Sequence, residues 1–133
     1  QDPGNLGSII RIADWYGIDH LICSMHTADV YNSKVLQATM GSIFRVQCFY
    51  TDLRSFILER SHPDLYACVL DGQNINSLDT MKEGIILIGN EGRGIDPELI
   101  ALCNYKISIP RIGHAESLNA AVATGIICNK LFG

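Results

Sequence analysis

The sequence predicts an α/β fold, a mostly parallel sheet flanked by helices. Three observations carry that expectation. Short apolar runs with strand character alternate with helical stretches along all 133 residues, the pattern that lays parallel strands side by side under helices. One run, Ile85–Ile88, has no polar alternation, which suits a central strand covered on both faces. The glycine-rich loops follow strand-like runs, and open parallel sheets place their ligand sites at the carboxyl ends of strands.

The elements follow in order. Leu6–Tyr16 reads as a helix, opened by Asp2-Pro3-Gly4-Asn5 and closed by Gly17. His20–Met25 is a short apolar strand. Asn32 caps a helix through Met40 that ends at Gly41. Phe44–Tyr50 is strand-like, with β-branched and aromatic residues. Asp52 caps a helix to Arg60. Leu65–Leu70 and Gly84–Ile88 are strands. Pro97–Cys103 is a short helix with proline near its first turn. Tyr105–Ile109 is a strand, and Glu116–Leu131 is the last helix.

Composition narrows the class. Apolar residues make up 47% and charged residues 18%, so the chain is globular, and its length fits one domain. No apolar run approaches the ~20 residues of a membrane span, and nothing at the start marks secretion. The five cysteines (Cys23, Cys48, Cys68, Cys103, Cys128) form no C-x-x-C pair, and the four histidines are scattered. Reduced thiols in a cytoplasmic protein, with no metal and no membrane, are the expectation. The net charge of −4 runs against a broadly basic RNA-binding surface. Arg11, Arg45, Arg93 and Arg111 lie in or next to the loops described next and can form a local patch.

Three segments carry candidate chemistry. In the first, Asp2 to Arg11, Arg11 sits among Ile9, Ile10, Ile12 and Ala13. An arginine on a mostly apolar helix faces a polar site, finds a carboxylate, or snorkels to water from the stripe's edge. Asn5 reads equally as a helix cap. In the second, the strand Ile85–Ile88 runs into Gly89-Asn90-Glu91-Gly92-Arg93-Gly94. Its glycine spacing is not that of a dinucleotide-binding loop. Glu91 is either a polar hook for a ligand or half of a solvated pair with Arg93, which would be worth little. In the third, the strand through Ile109-Pro110 leads by Arg111 and His114 to Glu116-Ser117-Leu118-Asn119. The small residues Ala120, Ala121, Ala123, Thr124 and Gly125 then let something pack close to the last helix. Ser117 or Glu116 also reads as an ordinary cap.

Taken together and in order, these segments resemble the three signature motifs of the SpoU (TrmH-like) family of RNA methyltransferases in the SPOUT superfamily. Asn5-Leu6-Gly7 with Arg11, then Gly89 to Gly94, then Ile109-Pro110 with Ser117-Leu118-Asn119 carry the resemblance. Gln37 to Val46 resembles a further family stretch. The resemblance covers essentially the whole chain. It implies a SpoU-type catalytic domain over residues 1–133, beginning inside the first motif without the strand or RNA-binding domain that many relatives carry upstream. It also implies a carboxy-terminal deep trefoil knot from about Ile85 to the last helix.

The activity implied is S-adenosylmethionine-dependent methyl transfer to a ribose 2′-hydroxyl of tRNA or rRNA by a cytoplasmic homodimer. Arg11 would activate the hydroxyl with Asn5 beside it, Glu91 would pair with Arg11 or order the loops, and Ser117 and Asn119 would position the ribose or the donor loop. Gly89, Ile109 and Leu118, with Leu87 and Asn90 beside Gly89, would contact the donor. Methylation of a base and a catalytically silent RNA-binding module are the alternatives. Ser117-Leu118-Asn119 favours ribose, and the presence of Asn5, Arg11 and Glu91 speaks against silence.

Overall fold

Asp2 starts the first helix earlier than Leu6. Its carboxylate accepts the backbone N–H of Asn5 at 3.0 Å, and Pro3 takes the first helical position, where a missing N–H costs nothing. A computed structural model of the chain describes residues 2–61, 63–90 and 92–133. They form two compact units, one running to Leu53 and the other from Arg54 onward.

In the first unit α1 (Pro3–Trp15) buries Leu6, Gly7, Ile10 and Ala13, one stripe at helical spacing. β1 (His20–Cys23), α2 (Ser33–Thr39) and β2 (Gln47–Tyr50) follow. β1 and β2 pair in parallel, with His20 opposite Gln47 and Cys23 opposite Tyr50. Leu6, Ile10 and Ala13 close a core with Val30, Val35 and Val46. Gly7 is required where α1 meets α2, because a Cβ there would overlap the Ala38 side chain and lie 2.7 Å from the Val35 carbonyl oxygen.

Phe44 does not begin a strand. Met40 and Gly41 take left-handed conformations (φ 51° and 89°), and Ser42–Phe44 form a 3-10 turn. The cause is tertiary: the buried Ser42 donates its hydroxyl to Asp14 at 2.7 Å, and Arg45 grips the same carboxylate through Nε and Nη2. These contacts hold the turn against α1, so the strand starts only at Gln47. The helix α3 (Leu53–Leu58) is shorter than the expected run to Arg60.

In the second unit β3 (Leu65–Asn74), β4 (Ile85–Leu87), α4 (Pro97–Leu102), β5 (Tyr105–Ser108) and α5 (Ala120–Phe132) complete the chain. The three strands are parallel in the order β4-β3-β5. The middle strand is therefore β3, and the apolar β4 stands at an edge of this sheet, with each of its residues half-buried. β3 also outruns the expected Leu65–Leu70. It pairs Cys68 with Ile107, bulges outward, and pairs Gln73 with Ile107 again. Ser108 fixes the return by donating its hydroxyl to the Gly72 carbonyl at 2.9 Å. Ile75, Ile107, Ile127 and Leu131 form the core beneath, so α5 packs on the elements that carry β3 and β5. No helix among the described residues is long and apolar enough to cross a membrane.

Candidate active site

The carboxyl ends of β4 and β5 and the middle of β3 converge on one cavity of about 640 Å³, within the range of small-ligand sites. β3 contributes Cys68, Val69 and Leu70 from where its bulge begins, and the ends of the other two strands contribute Ile88 and Gly89 after β4 and Ile107 to Pro110 along and after β5. Ala120, Ala123 and Ile127, on one face of α5, form another wall. The two alanines leave room that larger side chains would fill.

The loop after β4 is shaped by its own backbone. Asn90 and Gly94 exchange N–H···O bonds of 3.3 and 2.7 Å, and the Asn90 side chain accepts the Gly92 N–H at 2.9 Å. A Cβ at Gly89 would lie 2.5 Å from the Gly94 carbonyl carbon and 2.6 Å from the Ile95 nitrogen. Only glycine lets this loop fold back so tightly while its backbone borders the cavity.

The loop from Pro110 to Asn119 is exposed throughout and leads into α5. Arg111 Nη1 donates to the Ala115 carbonyl at 3.0 Å, which ties the loop across its tip. Asn119 ends it: its side-chain oxygen accepts the N–H groups of Ala121 (2.9 Å) and Val122 (3.2 Å). The last helix therefore begins at Ala120, not at Glu116, and its cap is Asn119, not Ser117.

The cavity's interior is largely apolar and holds no thiolate. Burial, with Cys128 and Cys103 nearby, pushes the Cys68 thiol up to about 12, so it stays protonated at neutral pH. The charged side chains of the described lining are Arg93, Arg111 and Glu116, all exposed.

Of the residues expected from the sequence, Gly89, Asn90, Ile109, Ser117 and Leu118 border this cavity. Leu87 ends β4 without lining it, and Asn119 caps α5 next to Leu118. Glu91 lies outside the described residues. Asn5 and Arg11 stand on α1 in the first unit, Asn5 half-buried and Arg11 exposed. Sequence reasoning missed Cys68, Val69 and Leu70. The rule that parallel strands present sites at their carboxyl ends would have pointed to them, since they close the expected strand Leu65–Leu70.

The profile of the SpoU rRNA Methylase family matches residues 1–129. The chain belongs to that family. Among SpoU relatives, the 23S rRNA (guanosine(2553)-2'-O)-methyltransferase of Bacillus subtilis is 35% identical over 100% of this chain and 55% of its own length. The SpoU methyltransferase AviRb from Streptomyces viridochromogenes, solved in complex with the cofactor AdoMet, superposes with a TM-score of 0.88 at 34% identity, over 98% of this chain and 55% of that one. An AdoMet-bound rRNA methyltransferase from Sinorhizobium meliloti gives 0.90 at 35% identity, over 97% and 51%. The chain thus spans about half the length of the SpoU relatives it matches.

Proposed function

We propose that the chain is the catalytic part of an RNA methyltransferase that uses S-adenosylmethionine to methylate a ribose 2′-hydroxyl, and that the cavity of the second unit holds the donor. The observation that carries this reading is the cavity's place at the ends of two parallel strands and the bulge of a third in a SpoU chain. The names of the relatives favour ribosomal RNA as substrate. The lining fits the donor: its volume suits a nucleoside-sized molecule, Ile88, Ile109 and Leu118 offer apolar surface, and the tight loop at Gly89 brings backbone polar groups to the rim.

When bound, S-adenosylmethionine supplies an electrophilic methyl group on a positively charged sulfur. The chain's residues would hold that group and bring the ribose hydroxyl to it. Arg11 activates the hydroxyl with Asn5 beside it. A guanidinium keeps its protons at all working pH values, so Arg11 acts by orienting and by stabilising negative charge, not as the proton acceptor. Glu91 is assigned the role of ordering the loops. Asn119 keeps the start of α5, and with it Ser117 and Leu118, in place. Ser117 positions the ribose, and Leu87 and Asn90 support the loop around Gly89.

The reading extends to the whole assembly. The segment from about Ile85 to α5 is the trefoil knot of the family; the crossover from β4 past β3 to β5 and the packing of α5 on the same core support it. The protein is a homodimer. Leu118, Val122 and Ile126, four residues apart, leave an exposed apolar stripe beginning at the cavity and running along α5. Five free thiols support a reducing, cytoplasmic setting, and no metal is required by the chemistry.

The test is methyl transfer by the full-length protein from labelled S-adenosylmethionine to unmodified total RNA, followed by alkaline digestion. Label in alkali-resistant dinucleotides is expected. Label only in mononucleotides would put the methyl group on a base, and no label in any RNA would contradict the reading. Arg11→Ala is expected to lower transfer by about a hundredfold or more while donor affinity changes by less than about twofold. Near-normal transfer in that variant would remove Arg11 from the mechanism.

A further inference from the structure

We propose that Arg93 and Arg111 form a two-arginine clamp for a phosphate of the RNA strand at the rim of the cavity, an inference that rests on reading the chain as an RNA methyltransferase. The two arginines come from different loops, one after β4 and one after β5, yet border the same cavity. Both are exposed. Among the described residues Arg93 has no hydrogen-bond or ion-pair partner. Arg111 uses one N–H on the Ala115 carbonyl, which steadies the guanidinium and leaves its other donors for a ligand.

The distribution of charge points to a polyanion. The chain carries a net charge of −4, so its overall charge does not draw RNA to it. Positive charge must meet phosphate locally, and on this cavity it is held at the rim above an apolar interior. Glu116 is the one acidic side chain in the described lining. A guanidinium fork matches phosphate oxygens two at a time, so two forks on separate loops fix a phosphodiester in position and not only in charge. The competing oxyanion is the carboxylate of the methyl donor. Exposure of both side chains favours the strand passing over the rim, because a solvated guanidinium adds little to the hold on a small enclosed ligand.

The test compares the full-length protein with Arg93→Gln/Arg111→Gln and Arg93→Lys/Arg111→Lys double variants. RNA affinity is measured from low to physiological salt, and S-adenosylmethionine affinity by calorimetry. The expected result is a salt slope shallower by roughly 0.7 in the glutamine variant, from the loss of one phosphate contact on single-stranded RNA. The lysine variant keeps the wild-type slope, and donor affinity stays within about twofold in both. An unchanged slope in the glutamine variant overturns the clamp. If donor binding weakens alongside that unchanged slope, the arginines hold the donor carboxylate instead. Absence of RNA binding and transfer in the wild type would overturn the methyltransferase reading itself and the clamp with it, whereas an active wild type with an unchanged slope overturns the clamp alone.

Discussion

Asp14 decides how the chain turns from α2 into β2. Its carboxylate takes the Ser42 hydroxyl and the Arg45 guanidinium, and the hydrogen bond from Arg45, then that from Ser42, holds its pKa below the usual carboxylate value. A depressed carboxylate stabilises the fold while it is ionised. That stability is present above the unfolded-state value near 3.8 and is lost as pH falls through the lower folded-state value. Asp14→Asn is therefore expected to unfold more readily than wild type at neutral pH and to show a weaker further loss of stability below about pH 4. Denaturant titrations at several pH values check this, and stability curves that run parallel for wild type and variant down to low pH would contradict it. Nothing local hints at this contact, since Asp14 and Arg45 are 31 residues apart. That is why the apolar and aromatic run from Phe44 reads as strand, although Phe44 sits exposed at the end of a 3-10 turn.

At the scale of elements, periodicity and glycine placement located each α-helix and strand but not the 3-10 turns at Ser42–Phe44 and Ile75–Ser77, and the errors in the α-helices and strands lie at their ends. Those ends are set by single contacts. The first helix begins at Pro3 because Asp2 reaches the Asn5 amide, and the last begins at Ala120 because Asn119 reaches two amides where Ser117 and Glu116 offered equally good local signals. β3 continues past Leu70 only because Gly72 packs against Ile107 and accepts from Ser108, contacts across more than thirty residues. β4 reads as central because it is wholly apolar, yet in its sheet the middle place belongs to β3. The cap at Asn119 gives a direct prediction. Asn119→Ala is expected to cost about 0.5–2 kcal/mol of stability and to weaken donor binding as the start of α5 frays beside Leu118. Thermal melts and calorimetry measure both; an unchanged melt with unchanged donor binding would show that the cap holds nothing in place.

For the whole molecule, the cavity was legible as two loops following strands, the second and third candidate segments, and five of the expected residues border it. The apolar wall from β3 was missed although Cys68, Val69 and Leu70 close the expected strand; what no local signal marks is the bulge after them, which rests on the double pairing with Ile107. The exposed stripe on α5 makes a prediction at this scale. Val122→Glu, a change at a half-exposed position, is expected to convert the proposed dimer into folded monomers in sedimentation; a monomeric wild type would contradict the dimer, and a variant that remains dimeric would move the interface elsewhere. The central claim is that the second unit's cavity binds the methyl donor, and the most direct measurement is calorimetric titration of the full-length protein and its Ala123→Leu variant with S-adenosylmethionine. Ala123 lines the cavity on α5, and leucine suits a helix while filling that space. Binding by the wild type and at least about tenfold weaker binding by the folded variant is the predicted result; equal binding by the two would contradict it.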